Sequence, residues 1–140
     1  MQVNPYLLFN GQCEAAFKFY ASVLGGKIES MTTHGGSPAE QQVPKEWREK
    51  ILHAQMSVGD TVLMASDAPP GYYQEPKGFS VSIQIKDQAD AERIFRNLSE
   101  GGTIKMPFGQ TFWSEGFGMC VDRFGTPWIV NCEKETSTIQ

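Results

Sequence analysis

Few side chains in this 140-residue chain are suited to grip a metal ion or attack a substrate: two histidines and three cysteines stand out. His34 and His53 lie at no usual zinc spacing, and one copy of the chain cannot supply a site of three imidazoles. His34 falls in a glycine-containing stretch and is expected to be solvated. His53 falls in an alternating run, Ile51–Val58, where Leu52, Ala54, Met56 and Val58 form one row and His53, Gln55 and Ser57 the other. Cys13, Cys120 and Cys132 are widely separated and form no CxxC pair, which fits reduced thiols rather than a disulfide framework. Cys120 and Cys132 lie on expected strands, where small apolar filler and reactive thiol are both open readings. Phe112, Trp113, Phe117 and Trp128 could clasp a flat apolar ligand or simply pack together. The chain has no Gly-x-Ser-x-Gly elbow, P-loop or His-Glu-x-x-His stretch. No catalytic residue is singled out, and whether the chain is an enzyme stays open.

The elements that must position these groups occur twice in the same order. Pro5–Phe9 reads as a strand closed by Asn10-Gly11. Ala16, Phe19, Tyr20, Val23 and Leu24 then recur at helical spacing, and Gly25-Gly26 stops the helix. An extended stretch, Lys27–Thr33, and a hairpin of Ile51–Val58 with Thr61–Ser66 about Gly59-Asp60 complete the first set. In the second set, Phe79, Val81, Ile83 and Ile85 alternate with Ser80, Ser82 and Gln84. Asp87 is placed to cap a helix whose buried stripe is Ala91, Ile94, Phe95 and Leu98, ended by Gly101-Gly102. Strands follow at Thr103–Met106, Phe117–Asp122 and Trp128–Cys132. Each half therefore reads strand, helix, strand, strand, strand, a duplicated unit in an α+β chain. The long polar segment His34–Lys50 has room for one short helix and reads as a functional loop or a solvated insertion.

Composition narrows the function classes. A formal charge of −4 leaves no basic stripe for phosphates, so no nucleic-acid partner is expected. No run of eighteen apolar residues exists to span a bilayer, and Met1-Gln2-Val3-Asn4-Pro5 lacks the segments of a signal peptide. No membrane partner and a cytoplasmic location are the expectations. With 40% apolar and 20% charged residues, the chain is long enough for one domain with a real core.

The paired βαβββ pattern resembles the vicinal-oxygen-chelate superfamily of glyoxalase I, bleomycin-resistance proteins and extradiol dioxygenases. Within it, the chain is most similar to the PhnB-like branch, whose members carry the label 3-demethylubiquinone-9 3-methyltransferase domain. The likeness rests on Pro5-Tyr6-Leu7-Leu8-Phe9, Phe19-Tyr20, Leu24-Gly25-Gly26, His53-Ala54 and Met64-Ala65-Ser66-Asp67. It is strongest over Thr111-Phe112-Trp113, Gly116-Phe117-Gly118 and Asp122-Arg123-Phe124-Gly125-Thr126-Pro127-Trp128. The resemblance implies one domain over 1–140, with modules of about 4–67 and 78–133. Their curved, mostly antiparallel sheets would surround a concave cavity, and a homodimer would be common.

Metal-dependent members of the superfamily take His, Gln or Glu ligands from the first and last strands of each module. By register, those positions fall near Pro5, at Phe79 or Ser80, and near Met64 and Ile129, which are poor donors for a hard divalent ion. No metal site and no cofactor are expected on that basis. The alternative is a metal-dependent lyase, isomerase or dioxygenase with a rearranged ligand set that includes His53 and Asp67. Methyl transfer is discounted, because Gly116-Phe117-Gly118 precedes a strand and not a helix, unlike a nucleotide-binding turn. The resemblance thus implies a small-molecule binding protein, with a pocket lined by Tyr6, His53, Gln55, Asp67, Trp113 and Trp128.

Overall fold

The alternating and helical periodicities become eight strands and two helices in a computed structural model that describes residues 1–133. The first half runs β1 (Tyr6–Phe9), α1 (Cys13–Leu24), β2 (Lys27–Thr33), β3 (Ile51–Val58) and β4 (Thr61–Asp67). The second runs β5 (Val81–Ile85), α2 (Gln88–Ser99), β6 (Thr103–Gly109), β7 (Ser114–Val121) and β8 (Pro127–Glu133). The chain divides into two compact units, one ending at Glu75 and the other beginning at Pro76.

Each unit holds one four-stranded sheet, ordered β1-β4-β3-β2 in the first and β5-β8-β7-β6 in the second. In both, the first strand pairs parallel with the last and the other pairings are antiparallel. The helix between the first two strands covers one face of its own sheet, which is the expected βαβββ module twice over. Neither sheet closes into a barrel.

The ladders align the modules row by row. Leu7, Ala65 and Ala54 form a helix-facing row in sheet one. Ile83, Val130 and Gly118 form its counterpart in sheet two. One row along, Leu63 with Met56 matches Trp128 with Cys120. All four of those side chains are buried, and burying each large apolar group contributes about 1.5–3 kcal/mol.

α2 buries Ala91, Ile94, Phe95 and Leu98, the stripe its periodicity predicts, and Asp87 caps it by accepting from the Ala89 N–H at 2.9 Å. α1 differs from expectation. Its buried residues are Cys13, Ala16, Phe17, Tyr20 and Val23, while Phe19 and Leu24 are only half-buried. The reason lies at its start: Gln12 makes no side-chain cap, and the Cys13 N–H is instead held by Asp67 of β4. That remote anchor turns Cys13 inward and carries Phe17 with it.

The connection 34–50 contains two short 3-10 turns, Glu40–Gln42 and Lys45–Trp47, where one short helix is expected. It is fastened at its base, because the His34 N–H donates to the Lys50 carbonyl at 2.9 Å and the Gly35 N–H to the Arg48 carbonyl at 2.7 Å.

Candidate functional site

The sheet faces turned away from the helices carry the chemically useful side chains. In sheet one, ladder partners Tyr6, Met64 and Gln55 form one row of that face. His53 stands two residues from Gln55 on the same strand, so it shares the face, and Tyr6 reaches it diagonally: Oη lies 3.3 Å from His53 Nδ1. The rings are tilted with centroids 5.8 Å apart. Tyr6 is about half exposed at 47%, and His53 and Gln55 are half-buried, so all three are reachable from outside. A phenol bonded to an imidazole can donate to, accept from and stack on a ligand.

In sheet two, the matching rows are Ser82, Ile129 and Met119, then Gln84, Asn131 and Phe117. Asn131 Nδ2 donates to Gln84 Oε1 at 2.7 Å, and Gln84 Nε2 donates to Ser82 Oγ at 2.7 Å. Asn131 Oδ1 is buried and has no hydrogen-bond partner among the described residues. Trp113 packs edge-on against Phe117 at 5.4 Å, with Phe112 edge-on to Trp113 at 4.7 Å. Phe112 and Trp113 are both exposed.

Of the expected site residues, Tyr6, His53 and Gln55 therefore come together in module one, and Trp113 lies with the aromatic cluster of module two. Asp67 and Trp128 face the other way. Asp67 is buried on the helix side, where Oδ1 accepts from the Gly11 and Cys13 N–H groups at 2.9 Å each and Oδ2 from Ile51 N–H at 2.8 Å. Trp128 is buried in the core row, its indole N–H donating to Asp122 Oδ2 at 2.8 Å. His34 corrects another expectation. It is 3% exposed, not solvated, because the folded 34–50 connection covers it and its Nε2 lies 3.3 Å from the Asp67 carbonyl.

Asp122 was not singled out by sequence reasoning. Its Oδ1 accepts from Phe124 N–H at 2.8 Å and Thr126 N–H at 3.0 Å, closing the β7–β8 turn. An aspartate three residues before a glycine in a turn is the signal for such side-chain-to-backbone bonding.

The register also allows a test of fit for a divalent ion. At the first-strand and last-strand positions the open faces carry Tyr6 opposite Met64, and Ser82 opposite Ile129. A thioether and an aliphatic carbon are poor donors for a hard cation. Among the described residues, no group of three or more His, Cys, Asp or Glu side chains is placed to hold a metal. These residues do not fit the ion.

The thiols are buried filler. All three cysteines are free and buried, and burial pushes each of their pKa values upward, that of Cys13 to about 12. Gly116 and Gly118 are also explained by packing. They lie inside β7 facing the helix side, and a Cβ on Gly118 would stand 2.6 Å from the Phe95 ring. A Cβ on Gly116 would strike the Phe108 ring. The pair makes room for aromatic rings, not for phosphates.

Comparison with known proteins agrees with this architecture. Residues 1–131 match the family described as 3-demethylubiquinone-9 3-methyltransferase. The chain is 32% identical to protein YjdN of Escherichia coli (strain K12), covering 99% of both chains. It is similar to the crystal structure of protein PA1353 from Pseudomonas aeruginosa, with 48% identity, a TM-score of 0.88, and 96% of this chain and 99% of that one covered. A putative 3-demethylubiquinone-9 3-methyltransferase, PhnB protein, from Bacillus cereus superposes with a TM-score of 0.80 at 21% identity, over 94% and 99% of the two chains. A glyoxylase/bleomycin resistance protein/dioxygenase domain from Frankia sp. EAN1pec shares the fold, with a TM-score of 0.65 at 12% identity over 96% and 98%. The matched length and the row-by-row duplication lead to one conclusion: this chain belongs to the 3-demethylubiquinone-9 3-methyltransferase family.

Proposed function

We propose that the protein binds a small organic molecule on the open sheet faces and does so without the superfamily's divalent ion. The observation that carries this reading is the Tyr6–His53 hydrogen bond beside Gln55 on a half-exposed sheet face. A polar pair of that kind orients a ligand through hydrogen bonds, and its two rings supply contact area. Sequestering a ligand requires no nucleophile, and the raised thiol pKa values leave the cysteines poor candidates for one. The family description names methyl transfer. We favour binding alone, because Gly116 and Gly118 are committed to packing under Phe108 and Phe95 and begin no helix. A cytoplasmic homodimer is the assembly that accompanies this reading. Among the described residues, no helix is long and apolar enough to cross a membrane.

The competing reading is a metal-dependent lyase, isomerase or dioxygenase that recruits His53. Elemental analysis of the purified protein beside H53A separates the two. Binding alone predicts well under one equivalent of any divalent ion in both proteins. It also predicts a co-purifying small molecule in native mass spectra of the parent that H53A and Y6F carry less of. One equivalent of ion present in the parent and missing from H53A would establish the enzyme reading instead.

A further inference from the structure

A second concavity lies under the 34–50 connection, wholly within the first module. Its volume is about 340 Å³, at the small end of the range for ligand pockets. Val43 and Leu52 give it apolar walls, Ser66 adds a hydroxyl, and Gln42 and Tyr72 stand at its exposed rim. His34 also lines it and is almost completely buried.

The polarity of His34 is fixed by its neighbour. Nε2 lies 3.3 Å from the Asp67 carbonyl oxygen, which can only accept, so Nε2 carries the proton. In the neutral ring Nδ1 then presents a lone pair. That atom is buried and has no hydrogen-bond partner among the described residues, an arrangement that is destabilising when nothing fills it. The lining contains no lysine or arginine, and its one charged residue, Asp67, has its carboxylate oxygens occupied by three backbone N–H groups. An anion would find no counter-charge there.

We propose that this cavity binds a small uncharged molecule carrying a hydroxyl on an apolar body, with the hydroxyl donating to His34 Nδ1. None of Tyr6, His53 or Gln55 lines this cavity, and the proposal does not depend on those residues binding anything.

The test compares phenol, toluene and benzoate as probes of the full chain, by calorimetry and by ¹⁵N resonances of the histidine rings. Phenol should bind about tenfold or more tightly than toluene, because only phenol can satisfy the buried acceptor. Benzoate should not saturate, and phenol should move the His34 Nδ1 resonance while leaving His53 in place. H34Q can keep a donor toward the Asp67 carbonyl but has no acceptor at the Nδ1 position, so its preference for phenol should fall to about unity. H34N keeps an acceptor at the Nδ1 position and should retain the preference. Q42W, a rim change that leaves the core untouched, should block phenol whether or not H34Q folds. Equal affinity for phenol and toluene, tighter binding of benzoate, a response at His53 instead, or no saturable binding would each overturn the proposal.

Discussion

The two modules share their ladders but not their chemistry. Row for row, Leu7–Ala65–Ala54 matches Ile83–Val130–Gly118, and Tyr6–Met64–Gln55 matches Ser82–Ile129–Met119. The buried carboxylates occupy different places. Asp67 ends β4 and binds N–H groups of Gly11, Cys13 and Ile51, all distant in sequence. Asp122 follows β7 and binds Phe124, Thr126 and Trp128, none more than six residues away. At the row position of Asp67, the second module has Cys132, whose thiol donates to the Lys86 carbonyl at 3.3 Å. The fold thus dictates which residues face each other, while tethers within each module can be long-range or local.

That contrast can be broken most forcefully at the carboxylates. Asp67→Ala should lower unfolding stability by about 3–5 kcal/mol, since it strands N–H groups in three separate segments. Asp122→Ala should cost about 1–3 kcal/mol, because a short turn can open to water without dismantling the module. Urea denaturation of both variants checks this, and equal losses would erase the distinction between long and local tethers.

A smaller effect is expected where the modules differ by one methyl group. Gly118 is the row counterpart of Ala54, and Gly118→Ala should destabilise by about 1–3 kcal/mol because its Cβ meets the Phe95 ring. Thermal unfolding of Gly118→Ala against F95L/Gly118→Ala tests the cause, as the smaller side chain should recover part of the loss.

The smallest effect at neutral pH concerns Cys13. Its pKa is raised from 9.0 to about 12, first by burial and then by the charges of Asp67 and Glu14. A pKa raised on folding gives stability that is fully present below pH 9 and lost as pH climbs through about 12. Unfolding measured across that interval should decline more steeply for the parent than for C13A. Identical slopes would show that the thiol's environment contributes nothing.

Legibility in the sequence follows the same division. α2 could be read residue by residue because its cap, Asp87, is adjacent to it. The stripe of α1 shifted because its anchor, Asp67, is supplied by a strand more than fifty positions later. Alternation was sufficient to place His53 and Gln55 on the face away from the helix. It could not show that Tyr6 would meet His53, because that contact depends on how β1 and β3 flank β4. Trp128 looked like a ligand contact by its aromatic type, yet its alternation with Val130 and Cys132 puts it in the core row. The burial of His34 had no local signal, since it comes from a carbonyl of β4 and a connection without regular periodicity.

Asp67 also sets an order of events as the chain is made. Every backbone group its carboxylate binds precedes it, and so does His34, which its carbonyl receives. Once residue 67 has left the ribosome, the first module has all the partners its knot requires before any of β5–β8 has emerged. Emergence of a single aspartate is therefore the moment at which a growing, open-ended segment can lock.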